Sequence, residues 1–125
     1  MTCKLSSCGA GLVAFGLIAI LSLPASAESL TWNVRSDYPR IVHLVFYSID
    51  RNAAWPGDDE VYILDDWDVQ TYTLECNRGE QICLGAWVRG SDDEYWGVGY
   101  NGEQGCESCC YICDGGETGV EVLAP

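Results

Sequence analysis

The apolar and polar positions divide the chain near residue 27. An uncharged, largely apolar run over residues 12–23 follows a single positive charge at Lys4. It has the length of a signal-peptide core and is shorter than the roughly 20 residues needed to span a bilayer. Pro24 ends the run, and Ala25-Ser26-Ala27 is the small-x-small pattern that precedes signal cleavage. The expectation is a secretory signal peptide at residues 1–27 and one mature domain at residues 28–125. Leu5-Ser6-Ser7-Cys8 looks like a lipidation box, but its apolar run follows the cysteine instead of preceding it, so lipidation is not expected.

Beyond residue 28 the period changes. Leu30, Trp32 and Val34 alternate with polar residues over 29–35, the period-two pattern of a half-buried strand. Residues 41–49 are apolar on both faces and rich in branched and aromatic side chains, which predicts a central strand covered on both sides. Further strands are predicted at 61–64, 69–76, 82–89, 95–100 and 120–123, separated by turn chemistry such as Asp50-Arg51-Asn52 and Trp55-Pro56-Gly57-Asp58. Outside the cysteine cluster no stretch keeps a 3.6-residue period. The fold predicted is all-β, a small immunoglobulin-like β-sandwich of about seven strands with a disulfide-clamped, cysteine-rich C-terminal segment at 106–113. The cysteine spacing around a core tryptophan that marks true immunoglobulin domains is missing, so only the architecture is expected.

Charge narrows the partners. Cleavage would remove Lys4, the only lysine, leaving five arginines against 19 carboxylates and moving the formal net charge from −13 to −14. Such a surface repels phosphate backbones and anionic lipid, which argues against nucleic-acid binding and against stable membrane association of the mature domain. A protein, cation or glycan partner suits it better. The acidic clusters Asp58-Asp59-Glu60, Asp65-Asp66-Trp67-Asp68 and Asp92-Asp93-Glu94 fall in predicted turns. Solvated turns are their simplest role; convergence on calcium is the alternative, though no EF-hand spacing is present. Trp32 and Trp87 belong to strand patterns and read as core, whereas Trp55 and Trp67 sit in or beside acidic loops. Trp55, Asp65, Asp66, Trp67 and Asp68 are therefore the candidate binding residues.

The cysteines carry the sharpest chemistry. Cys3 and Cys8 belong to the signal, so an even set of six remains: Cys76, Cys83, Cys106, Cys109, Cys110 and Cys113. In an exported small domain an even set predicts disulfides, with connectivity open among 15 pairings. A bridge from Cys76 to Cys83 would staple a hairpin across the turn that holds Asn77 and Gly79. Cys106, Cys109, Cys110 and Cys113 stand at i, i+3, i+4 and i+7, which would place four sulfurs on one face of a short helix. Those four are the alternative metal ligands, for Zn²⁺ or Cu(I), although the spacing matches neither zinc ribbons nor iron–sulfur runs. No cofactor is expected.

Catalysis finds no support. His43 is the only histidine and lies in the most apolar strand, and no nucleophile elbow, phosphate loop or zinc-protease motif occurs. Gly85-Ala86-Trp87-Val88, Tyr95-Trp96-Gly97-Val98-Gly99, the Cys-x-x-Cys-Cys-x-x-Cys block and Gly115-Gly116 together resemble small uncharacterised cysteine-rich proteins exported by bacteria. The resemblance covers roughly residues 76–123. It implies a periplasmic or secreted location and supplies no activity and no site residues. The functional expectation is a non-enzymatic exported domain that binds a partner through acidic and aromatic loops. The alternatives are a periplasmic metal-binding protein and a carbohydrate-binding module centred on Trp55 and Trp67.

Overall fold

The computed structural model describes residues 27–125. Residues 1–26, most of the expected signal peptide, lie outside the described residues. Among the described residues nine strands form: β1 Ala27–Ser36, β2 Val42–Ser48, β3 Ala54–Trp55, β4 Tyr62–Leu64, β5 Gln70–Asn77, β6 Gln81–Val88, β7 Ser91–Gly97, β8 Cys110–Ile112 and β9 Glu117–Leu123. All seven predicted strands are present within a few residues of their expected bounds, and the short β3 and β8 are additional. One sheet runs β9-β1-β5; the other runs β3-β2-β6-β7, with β4 on β2 and β8 on β6. The molecule is a β-sandwich.

The order of strands explains the immunoglobulin-like reading. In that plan one sheet holds strands A-B-E-D and the other C-F-G, and among the described residues no strand takes the D place. Here β1 and β5 take the B and E places, and β2, β6 and β7 take C, F and G. The departure is β9, which comes from the C-terminus and lies parallel to β1 in the A place.

Alternation builds the core. Leu30, Trp32 and Val34 of β1 and Leu74 of β5 face Val42, Leu44 and Phe46 of β2 and Ile82, Leu84 and Ala86 of β6, all buried. Each large apolar side chain so buried contributes roughly 1.5–3 kcal/mol. Trp32 is fully enclosed; its ring centroid lies 4.9 Å from that of Phe46, and Tyr111 meets it edge-on at 5.1 Å. Its indole Nε1 is buried with no hydrogen-bond partner, a cost of about 1–3 kcal/mol set against the area the ring buries.

The largest correction concerns residues 76–83. β5 and β6 do not pair with each other; they belong to different sheets, so the segment between them is an arch across the sandwich and not a hairpin. Cys76 therefore ends among the core residues while Cys83 joins a separate cluster, and the expected Cys76 to Cys83 staple does not form. The bridges are Cys76–Cys113, Cys83–Cys110 and Cys106–Cys109. The cysteine block is not a helix either. Cys110 opens β8, which pairs with β6, and residues 107–109 run in bends. Ladder bonds to β6 compete with helix formation here, and they win because Cys110 stands opposite Cys83 in register. Asp92-Asp93-Glu94 also departs from expectation, lying within β7 instead of a turn.

Glu80 fastens the arch. Its side chain is buried and accepts hydrogen bonds from the Ser48 hydroxyl, from both arms of the Arg51 guanidinium and from the Asn77 N–H at 2.9 Å. Burial alone would raise the carboxyl pKa, yet the bonds from Arg51, Ser48 and Asn77 prevail and hold it at about 2. The folded value is thus below the ordinary 4.5, so the stabilisation is complete above pH 4.5 and is lost as pH falls toward 2. Because Arg51 is half exposed, about 2 kcal/mol is a fair size for it.

Urea denaturation between pH 5 and 2 is expected to show this loss, and Glu80→Gln to flatten that part of the profile; an unchanged profile would remove Glu80 from the account. For the bridges, loop-closure entropy gives about 4 kcal/mol for Cys76–Cys113, which spans 37 residues, but only about 2 kcal/mol for Cys106–Cys109, which spans 3. Paired serine substitutions are expected to destabilise in that order, with intact mass showing six hydrogens fewer in the oxidised wild type than in the reduced chain.

Candidate functional site

A sheet of a sandwich has an outer face, and on the larger sheet this face is not smooth. β2 and β6 direct Val45, Tyr47 and Trp87 outward, on the opposite side from Leu44, Phe46 and Ala86. The β3–β4 connection rises on one side of them and residues 98–102 on the other. Between these walls lies a cleft of about 820 Å³, within the range of ligand sites.

Its floor is aromatic and aliphatic. Trp87 packs edge-to-face with Tyr100, ring centroids 5.1 Å apart, and on its other side with His43 at 5.8 Å. Tyr100 is 43 % exposed and offers an open ring, while Trp87 is only 7 % exposed and supports it. Burial pushes the Tyr47 hydroxyl above its usual pKa, partly opposed by a hydrogen bond with the backbone of Asn101. His43 is held below its ordinary value, first by burial and then by the positive charge of Arg89.

Two glycines bring the far wall close. A Cβ on Gly85 would lie 2.6 Å from the Gly99 carbonyl oxygen and 2.7 Å from Tyr47 Cε2. A Cβ on Gly97, whose φ is +62°, would lie 1.9 Å from the Leu84 carbonyl oxygen. Backbone at residues 97–99 therefore lies directly on β6, and the Val98 N–H bonds to the Leu84 carbonyl at 2.9 Å. This contact turns the chain after β7 back over the sheet and sets Val98 and Tyr100 beside the cleft.

The near wall carries charge. Residues 57–60 close a tight turn, with the Glu60 N–H bonded to the Gly57 carbonyl at 3.0 Å. Its central residues, Asp58 at φ 56° and Asp59 at φ 61°, both adopt the left-handed region, as a type I′ turn requires. Glycine or asparagine would adopt this conformation at lower cost. Two aspartates are held there instead, and together with Glu60 they present exposed carboxylates on the cleft rim. Four of the five arginines form ion pairs, with Asp37, Glu94, Glu80 and Glu28, and Arg51, which also lines the cleft, is held by Glu80; among the described residues no ion pair involves Asp58, Asp59 or Glu60.

The residues singled out in the sequence are not gathered here. Trp67 is 59 % exposed and lies with Asp65, Asp66 and Asp68 on the β4–β5 loop, away from the cleft lining. The Asp66 carboxylate accepts hydrogen bonds from the Asp68 N–H and the Gln70 amide, closing its own loop. Trp55 is half-buried, donates Nε1–H to the Glu75 carbonyl and is covered by the Arg51 guanidinium 5.7 Å from its ring centroid. Among the described residues no three of these carboxylates come within metal-ligating reach of one another. Of the expected metal ligands, Cys113 is bridged to Cys76 in the core; Cys109 and Cys110 instead draw near Cys83.

Tyr47 and Trp87 were missed as a site because an outward position on a covered strand has the same alternation as an inward one, and Tyr100 because it read as the end of the 95–100 strand, whereas the chain leaves the sheet at Gly97 and Tyr100 opens a 3-10 turn. Neither protein-family models, curated proteins nor solved structures yield a match to this chain.

Asp59→Gly is expected to raise stability by roughly 1 kcal/mol, through relief of the left-handed backbone, while removing a rim charge. Thermal denaturation checks this, and a lower melting temperature would show that the turn is not strained.

Proposed function

We propose that this protein is an exported, disulfide-stapled binding domain, without catalytic activity, whose outer cleft takes a basic segment of a partner protein. The observation that carries this reading is the cleft itself, an open aromatic floor at Tyr100 and Tyr47 beside three carboxylates with no ion-pair partner among the described residues. An arginine or lysine side chain satisfies both surfaces at once. Its apolar stem and cationic head pack on the aromatic face, and the carboxylates neutralise the charge. The excess of carboxylates over arginines adds a long-range field that draws a cation in and repels anions.

Export is supported by the signal pattern at residues 1–27 and by three disulfides, which persist in the periplasm or outside the cell. A binding role is favoured over catalysis because the His43 imidazole is packed against Trp87 and lies near the positive charge of Arg89, both of which hold it neutral and occupied. The rim also gives the strained aspartates a purpose, since backbone cost retained at a surface turn accords with a site that needs those carboxylates there.

Tryptophan fluorescence titration with an arginine-rich peptide is the direct test. Saturable binding is expected, weakened about tenfold or more by Asp58→Asn/Asp59→Asn/Glu60→Gln and by 0.5 M salt. Tyr100→Ala is expected to weaken it independently of salt. Equal binding of an acidic peptide, or binding of neutral oligosaccharides in place of the basic peptide, would overturn the assignment.

A further inference from the structure

Four of the six bridged cysteines form one continuous group. Cys83 is bonded to Cys110, the Cys110 sulfur lies 3.9 Å from that of Cys109, and Cys109 is bonded to Cys106. The sulfurs of Cys83, Cys109 and Cys110 all lie within 4.8 Å of one another. Cys76–Cys113 takes no part; its sulfurs belong to the main core, whereas the other four pack in a second cluster with Val98 and Tyr47. We propose that, when a dithiol reductant opens both bridges, Cys83, Cys106, Cys109 and Cys110 form a four-thiolate site for Zn²⁺.

The spacing within the sequence block alone argued against zinc, because its ligands came from one short segment. The fold removes that objection by supplying Cys83 from β6, opposite Cys110 of β8 in the ladder. Ligands then converge from two directions, as structural zinc sites require. Sulfurs each about 2.3 Å from a tetrahedral zinc lie about 3.8 Å apart, so the Cys109–Cys110 separation of 3.9 Å already matches. The loop carrying Cys106 and Cys109 is held on the sheet by the hydrogen bond from the Leu84 N–H to the Cys109 carbonyl at 2.9 Å. Cys83 and Cys109 are buried, which shields the thiolates, while Cys106 and Cys110 are half-buried and leave a path for the ion.

The chemistry balances. Each bridge accepts two electrons and two protons from one dithiol, which leaves as a disulfide. Zinc then displaces four protons from four thiols; in the reverse direction two molecules of a disulfide oxidant each take two electrons and two protons, leave as dithiols, rebuild the two bridges from the four thiolates and so release the ion. The cluster is therefore a zinc site in the reduced protein and a pair of staples in the oxidised one.

Reduced protein titrated anaerobically with Cd²⁺, a spectroscopic stand-in for zinc, is expected to bind one equivalent with a sulfur-to-cadmium charge-transfer band. Cys83→Ser is expected to diminish that band by about a quarter and to weaken zinc retention at least tenfold against a chelator. In the wild-type chain, zinc is expected to lower alkylation of these four cysteines and to leave the labelling of the core pair Cys76 and Cys113 unchanged, as mapped by peptide mass. The site is overturned if the reduced protein takes up no cadmium, if Cys83→Ser binds as the wild type does, or if zinc protects Cys76 and Cys113 equally.

Discussion

The arch from Cys76 to Cys83 is the constraint on which the rest of the molecule hangs. It carries the chain out of one sheet and into the other, and several separate tethers meet along it. The Glu80 carboxylate holds Ser48 and Arg51, and so the loop that follows β2. The backbone of Gly79 and Glu80 exchanges hydrogen bonds with Cys113 at 2.8 Å, and Cys76 bridges to the same residue. At the other end Cys83 fixes Cys110 and with it β8. A buried carboxylate is tolerated at the hub because four hydrogen bonds from three residues compensate its lost hydration, and in return the position of every attached loop is specified.

From that hub the cleft and the sulfur cluster follow as two consequences of one packing arrangement. β6 is shared by both: Trp87 supports the cleft floor, while Cys83 anchors the four-sulfur group. Tyr47 and Val98 touch both regions, lining the cleft and packing on the sulfurs. Close approach at Gly85 and Gly97 allows residues 98–102 to lie on the sheet at all, so the outer face of β6 is where backbone, ring and sulfur compete for the same space. The glycine-and-tryptophan motifs of this region thus have a steric reason.

Charge acts at a longer range. Four arginines are spent on local ion pairs, which leaves most carboxylates facing water. Apart from Arg51 on the buried Glu80, these are surface pairs and add little stability. Their effect is on the field, since they leave the Asp58-Asp59-Glu60 turn without an ion pair on the rim of the outer cleft.

The sequence by itself determined the strands, because period-two alternation and turn residues act over a few positions and need no distant partner. Seven strands, the all-β class and the enclosed Trp32 were legible in this way. Cysteine pairing, the role of residues 76–83 as an arch and the gathering of Tyr47, Trp87 and Tyr100 were decided only by tertiary structure. Two strands joined by a short turn look alike whether they pair with each other or cross between sheets, and only packing of the whole core selects the crossing. The same holds for Cys106, Cys109, Cys110 and Cys113. Their spacing satisfies a helix face, but β6 offers ladder partners to Cys110, and that long-range backbone pairing overrides the local period.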